Sequence, residues 1–280
     1  MYDALVIGGG PAGLQAALTL ARMHRPTLLL DSGTYRNGPA QGMHNVLTND
    51  GRHPAEFRAV VRGELAAYDD VEVRDIAADS VERLDDKTFA VGLADDSVVI
   101  ARNLVLATGL RDVMPDVPGF AEAWGRSVHM CPFCDAHELS GRRLAVEEAE
   151  GAPHVVAMLS PIAASVEVVP PVTSVEMTSE GLHVASSSSR VVVDALFTHP
   201  EFEQAAPFAS QLGLELNESG CVAIDSFGRT SMPGVYAAGD LAHVEDLPQP
   251  VMSVLAAAYA GQVAGSSVLS DLIAPVAQSA

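Results

Sequence analysis

Two cysteines stand close together near the middle of the chain, as Cys131-Pro-Phe-Cys134. Thiols at this spacing can close a disulfide, and a helix that begins at the pair would lower the pKa of one thiol and favour its thiolate. The spacing therefore predicts a redox-active dithiol, with a zinc pair and an inert pair as the alternatives. Zinc takes four ligands, and only His129, His137 and Cys221 are at hand to complete a set. We expect no metal site.

A glycine-rich turn lies close to the start of the chain, as Gly8-Gly-Gly10-Pro-Ala-Gly13. It fits the pattern G-x-G-x-x-G, follows an apolar strand over residues 4–8 and opens a helix over residues 11–22. Gly8 allows the tight turn, Gly10 lets the backbone approach a pyrophosphate, and Gly13 lets the helix and strand pack closely. The turn predicts a dinucleotide site, although a glycine turn without a ligand is the alternative.

The neighbouring residues fit the same site. Pro11 and Ala12 lie in the first turn of the helix, where free N–H groups and the helix dipole favour an anion. Asp31 ends a second buried strand over residues 26–31, where its carboxylate can hold ribose hydroxyls. The glycine spacing alone does not distinguish FAD from NAD.

The ends of two later strands help to choose between FAD and NAD, because they resemble sequences of a known family. Ala107-Thr108-Gly109 ends one apolar strand, and Tyr236-Ala-Ala-Gly239-Asp240 ends another just before the last helix. Both resemble the second and third FAD signatures of the flavoproteins with two dinucleotide-binding domains. The resemblance implies that FAD is the cofactor and that Asp240 contacts its ribityl chain.

With Cys131-Pro-Phe-Cys134 between these signatures, nearly the whole chain resembles the low-molecular-weight thioredoxin reductases and the related dithiol oxidases. The segments Asp31–Asn37 and His44–Gly51 are more similar to the oxidase branch, which works without NADPH. The resemblance implies an FAD-dependent thiol-disulfide oxidoreductase, and we expect Asn45 to contact the cofactor.

The resemblance also implies roles for the residues around the cysteines. Cys134 would react with the flavin, Cys131 would face the external substrate, and Asp135 would act as the acid–base group. His137 is a further candidate for the catalytic site, with a surface histidine at the start of a helix as the alternative. Cys221 is interpreted as a lone structural thiol.

The chain departs from the reductases where they carry a second glycine turn for NADPH. Here a strand over residues 144–146 is followed by Glu147-Glu-Ala-Glu150, which places three carboxylates where a pyrophosphate would lie. The arginines that would hold a 2′-phosphate are also missing, because no Lys or Arg occurs between Arg143 and Arg190. The sequence predicts a shortened, degenerate domain that does not bind NADPH.

Without NADPH, the flavin needs another electron partner. Oxygen is one possibility, a redox protein such as ferredoxin is a second, and a redox-inactive flavin-binding or sensor protein is a third. The intact pair Cys131 and Cys134 argues against the third. The expected substrate is a thioredoxin-like protein or a small-molecule dithiol or disulfide.

The elements that must position these residues alternate between strands and helices, which predicts an α/β protein with a Rossmann-like FAD domain and a smaller insert that carries the cysteines. Two prolines and a glycine within residues 114–119 predict a linker. We therefore predict an FAD-binding domain over residues 1–116 and 232–280, interrupted by a redox domain over residues 117–231.

Composition limits the partners. The 280 residues carry a formal net charge of −20, which opposes binding to nucleic acid and to anionic membranes. Residues 1–143 hold 14 basic residues, whereas residues 144–280 hold two. No uninterrupted apolar run long enough to span a membrane and no signal peptide are recognised, so a cytoplasmic protein is expected. The small residues of Ala256–Gly261 suggest a closely packed helix in a homodimer.

Overall fold

The structure is a computed structural model that describes residues 1–277. Its α-helices and strands follow the alternation expected from the sequence. The α-helices are α1 (Pro11–Ala21), α2 (Pro54–Leu65), α3 (Phe120–Ala123), α4 (Pro132–Asp135), α5 (Ala152–Leu159), α6 (Phe208–Gln211) and α7 (Val254–Ala277). The first strands are β1 (Ala4–Ile7), β2 (Thr27–Leu30), β3 (Val71–Arg74), β4 (Ala78–Arg83), β5 (Phe89–Leu93), β6 (Val98–Ala101), β7 (Leu104–Leu106), β8 (Leu110–Asp112) and β9 (Val128–His129). The later strands are β10 (Arg143–Glu147), β11 (Ser165–Val169), β12 (Val172–Thr178), β13 (Gly181–Ser186), β14 (Arg190–Val193), β15 (Ala195–Phe197), β16 (Phe202–Gln204), β17 (Val222–Ala223), β18 (Val235–Ala237) and β19 (Ala242–His243).

The chain divides into two compact units, and both are discontinuous. Unit 1 contains Met1–Arg36, Ala55–Arg111 and the chain from Glu203 to the end of the described part. Unit 2 contains Asn37–Pro54 and Asp112–Phe202.

Unit 1 is built on a parallel sheet in the strand order β18-β7-β1-β2-β3. All four residues of β1 and of β2 are buried, as expected for central strands that are covered on both faces. Leu5 and Leu28 face the antiparallel sheet β4-β5-β6, whereas Val6 and Leu29 face the α1 side. This arrangement confirms the predicted α/β class.

Helices α1 and α7 pack closely against each other in unit 1. A Cβ atom added at Gly261 would lie 2.0 Å from the carbonyl oxygen of Ala12, and one at Gly265 would lie 2.9 Å from that of Ala16. The small residues of α7 therefore let two helices of the same chain approach each other. The homodimer predicted with Ala256–Gly261 stays a prediction.

Unit 2 is built on a parallel sheet in the order β11-β10-β15-β9 and an antiparallel sheet in the order β12-β13-β14. Leu196 and Val184 belong to the core between these sheets, and Leu144 and Phe197 pack with α5 on the other side. Strands β10 and β11 are parallel, and α5 connects them as a crossover helix, as in nucleotide-binding folds.

The units differ from the predicted domains in three segments, of which the shortest, residues 112–116, was expected with the FAD domain but belongs to unit 2. Residues 203–231 were expected in the insert, but Phe208, Leu214 and Val222 are buried in the core of unit 1. Residues 37–54 were expected with the FAD domain, but they belong to unit 2, where His44 Nδ1 lies 3.3 Å from Glu138 Oε1. Within residues 1–277, no helix combines the length and apolar character that crossing a membrane requires.

Candidate active site

The glycine turn of unit 1 forms a tight cradle between β1 and α1. Gly8 adopts φ +121°, and a Cβ atom there would lie 2.2 Å from the carbonyl oxygen of Ala107. A Cβ atom at Gly13 would lie 1.8 Å from the carbonyl oxygen of Gly8. Both positions therefore require glycine for the packing of the protein itself.

Gly10 differs, because a Cβ atom there would meet no protein atom within 4 Å. Its backbone is extended (φ −78°, ψ −179°), a conformation open to any residue, and it is the N-cap of α1. Pro11 follows at the first helical position, and no side chain caps the N–H groups of the first turn. The open space beside these groups is what an anionic ligand at a helix N-terminus requires.

Asp31 lies directly behind the cradle and is 2% exposed. Its carboxylate accepts hydrogen bonds from the Gly33 N–H (2.9 Å) and the Tyr35 hydroxyl (2.6 Å), and it pairs with Arg62 Nη1 at 3.0 Å. A Cβ atom at Gly9 would lie 2.0 Å from an Asp31 oxygen. Glycine is thus also required at this position, which the motif leaves unspecified.

The partners of Asp31 are residues that the sequence did not predict. Burial, together with the hydrogen bond to Asp31, raises the pKa of Tyr35 to about 12. The guanidinium of Arg58 lies 3.6 Å from the centre of the Tyr35 ring. These contacts hold the partly buried ring of Tyr35 next to Asp31, the carboxylate predicted to bind a ribose.

The second and third signatures also reach this region of unit 1. Gly109 and Gly239 both adopt left-handed backbone conformations (φ +69° and +79°), and the site of a Cβ atom at Gly239 is 3.0 Å from Ala12 Cβ. Ala107 is buried, and Thr108 is half-buried. The structure therefore brings the predicted turn residues of β7 and β18 to the end of the sheet where α1 begins.

Asp240 follows Gly239 in a short 3₁₀ turn (Gly239–Leu241). Its carboxylate pairs with Arg36 Nη1 at 3.4 Å, a partner that sequence reasoning missed. Cys221 is fully buried, and its thiol donates to the carbonyl oxygen of Asp240 at 3.7 Å. Burial raises the pKa of Cys221, which fits a structural thiol.

Asn45, the residue expected to contact the cofactor, lies in the other unit. It belongs to the segment 37–54 of unit 2, is exposed, and adopts φ +56°. Its backbone N–H donates to Asp50 Oδ1 at 2.7 Å.

In unit 2 the cysteine pair begins the short helix α4. Cys131 is the N-cap, Pro132 is the first helical residue, and Cys134 lies in the turn. The hydrogen bond from the Cys134 thiol lowers the pKa of Cys131 to about 7, and the N–H groups of Cys134 and Phe133 act in the same direction. Donating that hydrogen bond raises the pKa of Cys134, and its burial adds to the effect. Cys131 is therefore the thiol that ionises first.

The cysteine pair is flanked by an exposed aromatic ring and by a contact between a histidine and a carboxylate. Phe133 is 71% exposed between the two cysteines. Asp135 Oδ1 lies 3.1 Å from Nδ1 of His129, a buried residue of β9. His137 is exposed. His129 entered the sequence interpretation only as a conceivable zinc ligand.

The first carboxylate of the predicted degenerate turn is bound by other residues of unit 2. Glu147, at the end of β10, accepts a hydrogen bond from the Val172 N–H (2.7 Å) through one carboxylate oxygen and from the Thr198 hydroxyl through the other. Glu148 and Glu150 are exposed in the turn before α5. Residues 1–277 contain no group of three or more His, Cys, Asp and Glu side chains that could hold a metal ion.

Comparison with known proteins places this arrangement among disulfide oxidoreductases. The chain is 33% identical to "Thioredoxin reductase tcpT" of Claviceps purpurea, over 97% of this chain and 96% of that protein. It is 32% identical to "Thioredoxin reductase sirT" of Leptosphaeria maculans, over 96% and 93% of the two chains.

A solved structure shows the same fold. The "Putative Thioredoxin Reductase TrxB from Bacillus anthracis" superposes with a TM-score of 0.88 at 28% identity, covering 97% of this chain and 98% of that one. The sequence pattern of the family described as pyridine nucleotide-disulphide oxidoreductase matches residues 2–150 and 163–261. The protein is an oxidoreductase of the thioredoxin reductase type, and its chain belongs to the pyridine nucleotide-disulphide oxidoreductase family.

Proposed function

We propose that this chain is an FAD-dependent dithiol oxidase, in which Cys131 and Cys134 pass electrons from a substrate dithiol to the flavin and oxygen accepts them. NADPH has no part in this cycle. The observation that carries the proposal is the bound carboxylate of Glu147 in the turn where the second nucleotide would lie.

The residues of unit 1 fit an FAD molecule. The open space at Gly10 and the uncapped start of α1 suit a pyrophosphate, and Asp31 is positioned for a ribose. Asp240, held by Arg36, would contact the ribityl chain. When it is bound, the flavin supplies the two-electron chemistry that connects the thiols to oxygen.

A single substitution at Gly10 tests the cofactor site. We expect the purified protein to be yellow and to release FAD rather than FMN. Gly10→Glu should keep the fold, because the new side chain enters open space, but it should weaken FAD binding at least about tenfold through repulsion of the pyrophosphate. The measurement is the ratio of flavin to protein absorbance, with chromatography of the released flavin.

The matched control is Gly63→Glu, the same change at an exposed glycine of α2 where a Cβ atom also meets nothing within 4 Å. This variant should bind FAD like the unmodified protein. Release of FMN, or full FAD content in Gly10→Glu, would refute the proposed site.

The thiol steps follow the roles that the resemblance gives to the two cysteines. A substrate thiol attacks Cys131 of the oxidised pair, the bond between Cys131 and Cys134 breaks, and Cys134 leaves as a thiolate. The second substrate thiol then displaces Cys131, which yields the substrate disulfide. Each turnover thus moves two electrons and two protons from the dithiol to oxygen, which becomes hydrogen peroxide.

Asp135 is proposed as the group that takes the proton of the attacking thiol. The exposed ring of Phe133 offers an apolar contact beside Cys131 for a small dithiol or for a thioredoxin-like protein. Ferredoxin as a donor is less well supported, because ferredoxins are usually acidic and this chain carries a net charge of −20.

Anaerobic titration with dithiothreitol, followed by air, tests the proposed direction of electron flow. An oxidase should be bleached by the dithiol and regain its colour within seconds of exposure to air. A flavin that the dithiol leaves oxidised would favour a sensor or binding protein. If the bleached flavin recovers only when an oxidised redox protein is added, that protein would replace oxygen as the electron acceptor.

We also propose a homodimer. Leu255 and Tyr259, four residues apart on α7, are exposed apolar side chains, and Val251 is exposed just before the helix. Exposed apolar groups of this kind are typical of contact surfaces between proteins. Light scattering at micromolar concentration should give twice the chain mass, and Tyr259→Glu should shift the mass toward the monomer. A monomeric mass for the unmodified protein would exclude this assembly.

A further inference from the structure

The part of unit 2 that carries the cysteine pair also carries a group of carboxylates. Strands β9, β10 and β15 run parallel, so their carboxyl ends meet at one edge of the sheet. Cys131 follows the end of β9 by two residues, and the turn between β10 and α5 begins at the same edge. The carboxylates near the pair and in this turn are those of Asp135, Glu138, Glu148 and Glu150, which we call the acidic edge.

Each member of the acidic edge is open to solvent. Asp135 follows Cys134 directly, and its side chain is 33% exposed. Glu138 follows in the next turn of the chain, with 43% of its side chain exposed. Glu148 and Glu150 are exposed in the turn before α5, and α5 contacts α4. A substrate that approaches the cysteines therefore meets negative charges before it meets the sulfur atoms.

The charge of Asp135 reaches both thiols. In Cys131 the hydrogen bond with Cys134 lowers the pKa to about 7, and the Asp135 carboxylate acts in the opposite direction. In Cys134 the hydrogen bond with Cys131 and burial raise the pKa, and the same carboxylate adds to that effect. A carboxylate that disfavours a thiolate at this site also disfavours a substrate that arrives with a negative charge.

The arginines of unit 2 do not balance the acidic edge. Unit 2 has no lysine, and its arginines are Arg52, Arg126, Arg142, Arg143 and Arg190. Three of them stand at the amino ends of β9 and β10, the opposite edge of the sheet, where Arg143 is paired with Asp194 at 3.0 Å. Arg190 begins β14 of the antiparallel sheet, and Arg52 is half-buried in the segment 37–54. The segments 127–141 and 144–189 contain no Lys or Arg.

We propose that the cysteine pair takes small dithiols with an apolar body and a positive charge, and that the acidic edge keeps anionic dithiols away. The inference rests on the proposed function in one respect, namely that a dithiol is the substrate of Cys131. Phe133, 71% exposed between the cysteines, offers the apolar contact, and the acidic edge attracts the positive charge.

The exchange itself needs no further reactant. One substrate sulfur bonds to Cys131, the bond between Cys131 and Cys134 breaks, and Cys134 keeps the electron pair. The second substrate sulfur then displaces Cys131. The substrate loses two electrons and two protons, and the cysteine pair gains the electrons. A positive charge on the substrate offsets the negative charge that develops on sulfur beside the acidic edge.

Three dithiols that differ only in a remote charge test the selection. Dihydrolipoic acid is anionic, dihydrolipoamide is neutral, and the N-(2-aminoethyl) amide of dihydrolipoic acid is cationic. Each is mixed with the oxidised flavoprotein under argon. The initial rate of electron entry is the sum of bleached flavin and of reduced cysteine pairs, which are counted by alkylation and mass spectrometry after an acid quench.

The expected result is a preference that depends on salt. At an ionic strength of about 10 mM the cationic dithiol should react at least about tenfold faster than the anionic one, with the neutral dithiol between them. At about 1 M, where the screening length is only about 3 Å, the two rates should agree within about twofold.

A triple variant assigns the preference to the acidic edge. Glu138→Gln, Glu148→Gln and Glu150→Gln together remove three of its four charges at exposed positions, so the preference should fall to about threefold. If this variant does not fold, Glu148→Gln with Glu150→Gln keeps the contact between His44 and Glu138 and should still lower the preference.

The matched control removes the same charge elsewhere in unit 2. Glu122→Gln, Glu176→Gln and Glu180→Gln change exposed residues on α3, on β12 and between β12 and β13, and should keep the full preference. Equal rates for the three dithiols at low ionic strength overturn the inference. An equal loss of preference in the control also overturns it, since the charge of the whole chain would then be responsible, and so does a preference that persists at about 1 M salt.

The flavin absorbance separates this inference from the proposed function. If the pair is reduced with the expected preference while the flavin stays oxidised, the oxidase proposal fails and the preference stands. If the flavin bleaches equally fast with all three dithiols, the preference fails and the oxidase proposal stands.

Discussion

Cys134→Ser is expected to abolish the reduction of the flavin by dithiols, with a loss of at least about a thousandfold. The proposed cycle routes every electron through the Cys134 thiolate, and a serine hydroxyl neither forms a disulfide nor ionises near neutral pH. Stopped-flow mixing with dithiothreitol under argon measures the rate of bleaching directly. A variant that still bleaches at the original rate would show that the pair is not on the electron path.

Cys131→Ser is the matched control, because it removes the other thiol by the same change. It should block the external substrate but keep Cys134, the thiol proposed to react with the flavin, so a thiolate–flavin charge-transfer band is expected. In Cys134→Ser, by contrast, the thiol of Cys131 remains, and iodoacetamide should alkylate it. A charge-transfer band in Cys134→Ser instead would reverse the two roles.

NADPH and NADH are expected to reduce the flavin at least about a hundredfold more slowly than a dithiol does. A phosphate within about 4 Å of a partly buried carboxylate is repelled by about 4 kcal/mol, which corresponds to about a thousandfold in affinity. Glu147 is held in the turn by two hydrogen bonds, and no Lys or Arg from residue 144 to 189 offsets its charge. Mixing with excess NADPH under argon, followed at the flavin absorbance, provides the measurement.

Glu147→Gln serves as the companion variant, because its amide oxygen can still accept the Val172 N–H while the charge is removed. Its reduction by NADPH should remain slow, since Glu148, Glu150 and the missing glycines still oppose binding. Full bleaching of the unmodified protein by NADPH within seconds would instead identify an ordinary NADPH-dependent reductase.

The cradle could be predicted from the sequence because the spacing of Gly8, Gly10 and Gly13 fits a known pattern. The contact of Gly13 with Gly8 lies within one turn, whereas the need for glycine at Gly8 comes from Ala107, far along the chain. The need for glycine at Gly9 comes from Asp31, which arrives from the next strand. Such a contact is visible only once β1 and β2 are paired.

The pairs around the charged groups could not be predicted, since each joins distant parts of the chain. Arg36 meets Asp240 across 204 positions, and Arg62 meets Asp31 across 31 positions. His129 and Asp135 are near in sequence, but their contact depends on how α4 follows β9. The segment 203–231 was misplaced for a similar reason: apolar residues such as Phe208 fit either core by composition, and only packing decides between them.

The interrupted sheet of unit 1 has a consequence for the order of events on the ribosome. Strand β18 and helix α7, which complete the sheet and cover α1, are translated after all of residues 112–202. At about 5–20 residues per second, seconds pass between the synthesis of Cys131 and that of α7. Both thiols are therefore made before the sheet of unit 1 can be completed, and we expect newly made chains to depend on the reducing state of their surroundings.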